Sequence, residues 1–531
     1  MNDSVYGIDL GTTYSAIARI SSLGAAEIIP NFEGEQTTPS VVYFESPSSA
    51  IVGSEAKRVA ITDPDNACLL IKRHMGTEYP QHFQGETYSP EAVSALILKE
   101  LVTAANKESG AEATKVVITV PAYFGVQERE ATRQAGAIAG LEVIGIVTEP
   151  VAAALSLGIS GGRAETIMVY DLGGGTFDTT VMRVDSGRVE VVAVDGNRKL
   201  GGADWDSALV DLIVEKFVAQ AELGDDDPRY DEEFMLDLRL GAEETKKSLT
   251  KRETATIRCA YDGKKANIEV TRAEFEAATE HLVNQTIEIS ARTLEAATEK
   301  EAGLSIDRVL LVGGSSRMPM ISAALTNRLG WDPQPTDFDL AVAKGAAIYG
   351  QSAVDEVLLS EGEEAMPGDA ANAAPRPFLA GATSLTIENV LARGVGVKFA
   401  RDATDDIGYI SFFASANDSI PKTPEPIGAA TLSEGQRSVQ IAIFEQGGER
   451  ESELPADNRE LKTAVLPLPA GLPKGSPIDI TVNITGEGIV KMIVTDDVSK
   501  EQIELEAMVS VLTQEQVDEE TVKVTALALR S

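Results

Sequence analysis

The chain has 531 residues, with 46 lysines and arginines against 83 aspartates and glutamates, a formal net charge of −37. So acidic a surface repels phosphate backbones and excludes nonspecific nucleic-acid binding. Two cysteines (Cys68, Cys259) and three histidines exclude a disulfide framework, a cysteine-rich zinc or iron–sulfur site and a histidine-rich metal centre.

The chain opens with Met1-Asn-Asp-Ser-Val-Tyr and shows neither a basic n-region nor an apolar h-region. No apolar run reaches the roughly 18 residues of a membrane span. No leader, no membrane partner and a cytoplasmic location are therefore expected, the two cysteines remaining unpaired.

Through residue 350 short β-rich runs alternate with helical patterns. Val5–Asp9, Val116–Val120, Thr166–Tyr170 and Arg308–Val312 read as strands, and Pro90–Asn106 and Val126–Ala139 as helices. That order predicts parallel or mixed sheets covered by helices. The run from Gly7 through Asp9-Leu-Gly11-Thr12-Thr13 to Ile20 is echoed from Val169 through Asp171-Leu-Gly173-Gly174-Gly175-Thr176 to Val184. A duplicated lobe, with both glycine turns facing one cleft, is the simplest reading. Such turns aim backbone N–H groups at an anion. The aspartate before each would repel a phosphate unless a cation such as hydrated Mg²⁺ lay between. Alone, either turn is an ordinary strand–turn; the matched pair points to function.

Further on, Glu243, Lys246, Lys247 and Thr250 fall on one helix face at i, i+3, i+4, i+7. Gly313-Gly314-Ser315-Ser316-Arg317 follows an apolar strand, where close backbone could approach a nucleotide and Arg317 stack on a purine. Taken singly, these are a solvated helix face and a plain βα turn. No Walker A pattern occurs, which excludes the P-loop class. Residues 361–383 are acidic and alanine-rich and read as a flexible linker. From 384 the pattern turns to short strands (Gly394–Phe399, Gly408–Phe413, Ser438–Glu445, Ile478–Ile484, Gly488–Thr495, Gln502–Val511), as in a β-sandwich-like domain to about 512. The tail 513–531 holds one short helical pattern.

Six motifs in register carry a resemblance: GIDLGTTYS from Gly7, VPAYF from Val120, EPVAAA from Glu149, DLGGGTFD from Asp171, LGGAD from Leu200 and VGGSSRMP from Val312. Together they resemble the DnaK-type heat-shock chaperone family, the seventy-kilodalton class. ADNREL from Ala456, GLPKGSPI from Gly471 and GEGIV from Gly486 extend the resemblance to nearly all of residues 3–513. It implies an actin-like, ribonuclease-H-like two-lobed ATPase domain (1–360), joined through the linker to a peptide-binding β-sandwich (384–512).

The resemblance further implies that Asp9 and Asp171 hold Mg²⁺ through water, and that Thr12, Thr13 and Thr176 meet the ATP or ADP phosphates beside Gly11, Gly173, Gly174 and Gly175. Lys72 would orient the attacking water and Glu149 assist proton transfer. Gly201, Gly202, Gly313, Gly314, Ser315 and Asp339 would line the cleft. Glu243, Lys246 and Thr250 would meet ribose and adenine, with Lys247 and Arg317 flanking the ring. In the β-domain, Val397, Phe399, Ile427, Val439 and Ile441 would line a cleft for extended peptide, although ordinary sandwich core is the plain alternative for all five. Implied partners are unfolded or extended peptides, a J-domain co-chaperone and a nucleotide exchange factor.

Four features depart from the family pattern. The acidic linker replaces a short leucine-rich one, and Leu385, Ile387 and Val390 are the expected docking residues. The tail is too short for the usual helical lid, so bound peptide should leave faster. Gly145-Ile-Val-Thr148, expected as surface, lacks the arginine and asparagine that usually precede Glu149, which weakens the expectation of J-domain coupling. Lys247 stands where arginine is usual, with Ala203 and Lys344 as smaller changes. An ATP-hydrolysing chaperone is the leading expectation. A nucleotide-dependent scaffold for one dedicated partner, with little turnover, stays open beside it, and an actin-fold sugar kinase comes third.

Overall fold

The computed structural model describes residues 5–530 apart from 111–113, 158–163, 186–187, 224–226, 338, 361–385, 449, 487, 497, 499, 501 and 508–511. The acidic stretch 361–383 and Leu385 thus lie outside the described residues.

Two large sheets built alike organise the first 360 residues. Strands β1 (Val5–Asp9) and β2 (Tyr14–Ile20) make a hairpin, followed by β3 (Ala26–Ile29), β4 (Lys115–Val120) and β5 (Glu142–Thr148) in the order β5-β4-β1-β2-β3. The second sheet repeats the plan. Its hairpin is β6 (Glu165–Leu172) and β7 (Phe177–Asp185), with β8 (Arg188–Asn197), β9 (Arg308–Val312) and β10 (Pro333–Pro335) in the order β10-β9-β6-β7-β8. In each, the first hairpin strand pairs parallel to a crossover strand, β1 with β4 and β6 with β9. The repeated Asp-Leu-Gly turns therefore leave equivalent ends of equivalent strands.

Helices α1 (Pro90–Ser109), α2 (Val126–Ile138) and α3 (Glu149–Ser156) belong to the first half; α4 (Gly202–Ala221), α5 (Glu232–Lys251), α6 (Arg272–Lys300) and α7 (Ala341–Ser360) follow. Ser89 caps α1 through its hydroxyl, with Pro90 at the first helical position and left-handed Gly110 ending the helix. Close approach fixes α7 against β1 and α3 of the first lobe. A Cβ on Gly7 would lie 2.0 Å from the Ala347 nitrogen, and one on Gly345 would lie 1.7 Å from the Ala152 oxygen.

One expectation is corrected here. Gly145, Val147 and Thr148 are buried in β5 rather than exposed, and a Cβ on Gly145 would stand 2.8 Å from the Tyr349 ring. An arginine at that position has no room while Tyr349 stays in place.

After residue 385, β11 (Thr386–Val390) adds in parallel to β8, with Ile387 opposite Val189. Ile387 and Val390 pack into the apolar cluster beneath that sheet. Ser419–Ile420 pairs with β11 in turn, so one seven-stranded sheet crosses from lobe to β-domain. The β-domain is two four-stranded antiparallel sheets. In one, β12 (Val395–Phe399), β13 (Tyr409–Ala414), β15 (Ser438–Glu445) and β16 (Arg459–Pro467) run in the order β13-β12-β15-β16, while β14 (Ile427–Ala430), β17 (Pro477–Ile484), β18 (Val490–Asp496) and β19 (Gln502–Ala507) form the other. Alternating inward residues, such as Ile478, Ile480, Val482 and Ile484, fill the space between them. Finally α8 (Gln514–Ala526) packs on α1 and α2 through Val517 and Val524, and Ala528–Arg530 pairs parallel with Ser49–Ile51.

Changing Ile387 and Val390 together to serine removes two apolar side chains from this seam, each worth about 1.5–3 kcal/mol when fully buried. Small-angle scattering should then show a larger radius of gyration than wild type. An unchanged radius would mean that β11 does not hold the domains together.

Candidate functional site

Both hairpin turns open into a cleft of about 430 Å³ between the lobes, in the range of small-molecule sites. Asp9, Gly11, Thr12 and Thr13 line it from one side, and Asp171, Gly173, Gly174 and Thr176 from the other. Glu243, Lys246, Lys247 and Thr250 reach it from one face of α5, as their spacing requires. Lys72, Glu149, Gly202, Gly313, Gly314, Ser315, Arg317 and Asp339 complete the wall. Gly175 and Gly201 stand behind it, packed backbone to backbone: a Cβ on Gly201 would sit 2.5 Å from the Gly175 carbonyl carbon.

The turns nearly touch. A Cβ on Gly174 would lie 2.1 Å from Thr13 Oγ1, and one on Gly175 would lie 2.3 Å from Thr12 Cγ2. Gly313 has φ +77°, and its Cβ would fall 2.4 Å from Asp171 Oδ1. Glycine is required there by backbone conformation and space together.

Carboxylates dominate the electrostatics. Oxygens of Glu149, Asp171 and Asp178 lie within 4.8 Å of one another. Lys72 Nζ donates to Glu149 Oε1 at 2.6 Å, and both side chains are buried. Asp9 is pushed up to about 7, first by burial and then by Glu149. Burial, then neighbouring carboxylates, hold Asp171 and Asp178 well above the usual range. Asp178 accepts from the Ala122 N–H at 3.3 Å, while its Oδ1 is buried with no hydrogen-bond partner among the described residues. One hard cation would relieve both the repulsion and the orphaned oxygen, so these residues fit Mg²⁺.

A bridge between the lobes closes one side of the cleft. Tyr14 Oη donates to Glu243 Oε1 at 3.0 Å, Lys57 Nζ to Glu243 Oε2 at 2.5 Å, and Lys247 Nζ pairs with Glu243 Oε1 at 3.0 Å. Burial raises the Glu243 carboxyl, but Lys57 and Lys247 outweigh it and bring it to about 2. Lys246 Nζ is held by the Gly202 carbonyl and Asp206. Arg73 Nε donates to the Gly175 carbonyl at 2.9 Å, and its Nη2 pairs with Asp204 at 2.7 Å. Arg317 pairs with Asp339 at 2.6 Å. Tyr14, Lys57, Asp178 and Asp206 were not among the expected site residues. Asp178 had a signal, as the last residue of DLGGGTFD; Lys57 had none.

The five candidate peptide residues sit together on the sandwich. Val397 and Ile441 are buried between its sheets, and Phe399, Ile427 and Val439 are half-buried against the same core. Both cysteines are free and buried, their thiols pushed up by burial to about 12 (Cys68) and about 11 (Cys259). No described helix is long and apolar enough to cross a membrane.

A duplicated mixed α/β unit with an anion-cradling, cation-seeking cleft, carrying an attached β-domain, defines a two-lobed phosphate-binding protein. The family described as Hsp70 protein matches residues 5–83 and 80–361. The chain is also 36% identical over 538 aligned residues to the chaperone protein DnaK of two Halobacterium salinarum strains, ATCC 29341 / DSM 671 / R1 and ATCC 700922 / JCM 11081 / NRC-1. Each match covers 98% of this chain and 77% of the relative. The chain belongs to the Hsp70 family, and it is an ATP-dependent chaperone that hydrolyses ATP.

Proposed function

We propose that the interlobe cleft hydrolyses Mg-ATP by in-line attack of water, and that the state of the nucleotide sets the affinity of the β-domain for extended apolar peptide. The observation that carries this reading is the buried Lys72–Glu149 pair set between the two Asp-Leu-Gly turns. Bound Mg²⁺, held through water by Asp9 and Asp171, would supply charge neutralisation at the phosphates. Thr12, Thr13, Thr176 and the N–H groups of Gly174 and Gly175 cradle the β- and γ-phosphates, beside Gly11 and Gly173, whose N–H groups donate to Ser15 Oγ and the Thr176 carbonyl and brace the two turns. Lys72 orients water and steadies developing charge; Glu149 takes the proton. Gly201, Gly202, Gly313, Gly314, Ser315 and Asp339 shape the nucleotide pocket. Glu243, Lys246 and Thr250 meet ribose and base, and Lys247 and Arg317 flank the ring.

On the β-domain we assign Val397, Phe399, Ile427, Val439 and Ile441 to the peptide cleft, where strand edges pair with peptide backbone. Opening that cleft requires the sheets to part around Val397 and Ile441. A cytoplasmic setting fits the free thiols, and a J-domain co-chaperone and an exchange factor are the proposed partners.

The test is fluorescence anisotropy of a labelled leucine-rich peptide in Mg-ADP and again in Mg-ATP. Weaker binding in ATP, by tenfold or more, is expected. Equal binding, or none, would overturn nucleotide control of peptide and favour a scaffold for one dedicated partner.

A further inference from the structure

Residues 512–530 follow the β-domain in sequence but pack as part of the first lobe. Thr513 and Gln516 close a reciprocal cap at the start of α8: the Thr513 N–H donates to Gln516 Oε1 at 2.8 Å, and the Gln516 N–H to Thr513 Oγ1 at 3.2 Å. From that cap Val517 and Val524 recur seven residues apart on one helix face. Both are buried with Leu512 and Leu527 in the cluster that holds Tyr6 and Ile8 of β1, Leu96 of α1 and Ala131 of α2. Among the described residues, none of the four joins the cluster between the two sheets of the β-domain.

Polar contacts run the length of the segment. Gln134 Nε2 donates to the Leu512 carbonyl at 2.9 Å, Lys99 Nζ to the Val524 carbonyl at 3.1 Å, and Lys523 Nζ to the Thr87 carbonyl at 3.0 Å. Ala528–Arg530 then pairs in parallel with Ser49–Ile51. The Ala528 N–H donates to the Ser48 carbonyl at 2.9 Å, and Arg530 Nη1 reaches both oxygens of Glu45 at 2.7 Å.

We propose that this tail is a standing clasp: it stays on the first lobe in both nucleotide states and keeps the β-domain tethered there while peptide affinity changes. Relative strengths carry the argument. Each buried Val or Leu favours the docked tail by about tenfold or more, so four supply roughly ten-thousandfold. Departure would forfeit more than burial, because a helix of 13 residues is marginal in water without a packed face. A bound effector typically shifts a coupled equilibrium by about 5–150-fold. That moves a domain poised near balance and is too little to lift this tail.

The inference rests on the reading that nucleotide controls peptide affinity, and the test tells the two apart. Ser49 and Ala528 stand opposite each other on neighbouring strands, a spacing that a disulfide spans. The native thiols are buried and stay out of the reaction. Full-length S49C/A528C is oxidised in Mg-ADP and in Mg-ATP, and closure is followed on nonreducing gels. Closure should be complete, within one chain, and at rates within about threefold in the two nucleotides. Adding V517D/V524D puts two charges into the seam, so the tail undocks and closure should slow at least tenfold. Peptide anisotropy of the oxidised form should match that of its reduced form in each nucleotide.

A rate more than threefold slower in one nucleotide, a cross-link between two chains, or unchanged closure with V517D/V524D would each overturn the clasp. Loss of nucleotide control on oxidation would overturn it as well, since control would then require the tail to leave. A reduced form that binds peptide equally in ATP and ADP would instead overturn the peptide reading, and the closure rates would still decide the clasp.

Discussion

Lys72→Ala is expected to slow single-turnover ATP hydrolysis by about two to four orders of magnitude, the range of a lost acid–base or charge-stabilising group, while ATP still binds. Lys72 touches Glu149 directly and lowers the carboxyls of Asp9, Asp171 and Asp178 by its charge. Phosphate cradling rests on other atoms, the threonine hydroxyls and glycine amides of the two turns, so affinity should survive. The substitution also strips the cluster of the cation nearest its buried carboxylates. Breaking a buried pair by removing one partner costs about 3–5 kcal/mol, and the ligand-free protein should melt correspondingly earlier. Mg-ATP should recover much of that loss, because ligand binding stabilises the folded form. Stopped-flow mixing gives the rate, calorimetric titration the affinity, and differential scanning the melting shift with and without Mg-ATP. Hydrolysis at the wild-type rate would remove Lys72 from the mechanism.

The lobes and their cleft were legible because backbone constraint writes itself into residue type. Gly313 must be glycine, with a positive φ and Asp171 against its face, and Gly174 and Gly175 must be glycine because Thr12 and Thr13 fill their side-chain space. A strand ending in Asp-Leu-Gly twice predicts two equivalent hairpins, and β1–β2 and β6–β7 are those hairpins. What escaped was of two kinds. Strand β14, with the sequence Ile-Gly-Ala-Ala, carries almost no β-branched signal, and the alternation of β16 is blurred by a register shift where Ile443 and Phe444 face it. The other kind is contact between distant side chains. Tyr14 meets Glu243 across 229 positions, and nothing local marks Lys57 as part of that bridge. Glu445 looks like the polar end of a strand, yet its carboxyl fills the space of a side chain at Gly125 of the first lobe.

Docking of the β-domain on the first lobe is expected to tighten as the pH falls from 8 to 6. Glu445, at the end of β15, has its carboxyl against Gly125 of the first lobe, and there burial first, then Glu128, push it from 4.5 up to about 7; Arg393 and Arg459 oppose the rise without cancelling it. Arg198, on the other side, is engaged with Glu128 at 2.9 Å. The docked form therefore holds a proton that the separated form has already released. Docking is strongest below about 4.5, weakens as the pH rises toward about 7, and is flat above that, where Glu445 is ionised in both forms. Between pH 8 and pH 6 a carboxyl shifted this far changes the docking equilibrium about tenfold. Energy transfer between dyes on the two domains, followed across this pH range, measures the slope. E445Q carries no titrating carboxyl at position 445 and should lose about tenfold of that dependence. An unchanged slope in E445Q would mean that the carboxyl stays ionised while docked, held by Arg393 and Arg459 as a charged partner of the interface.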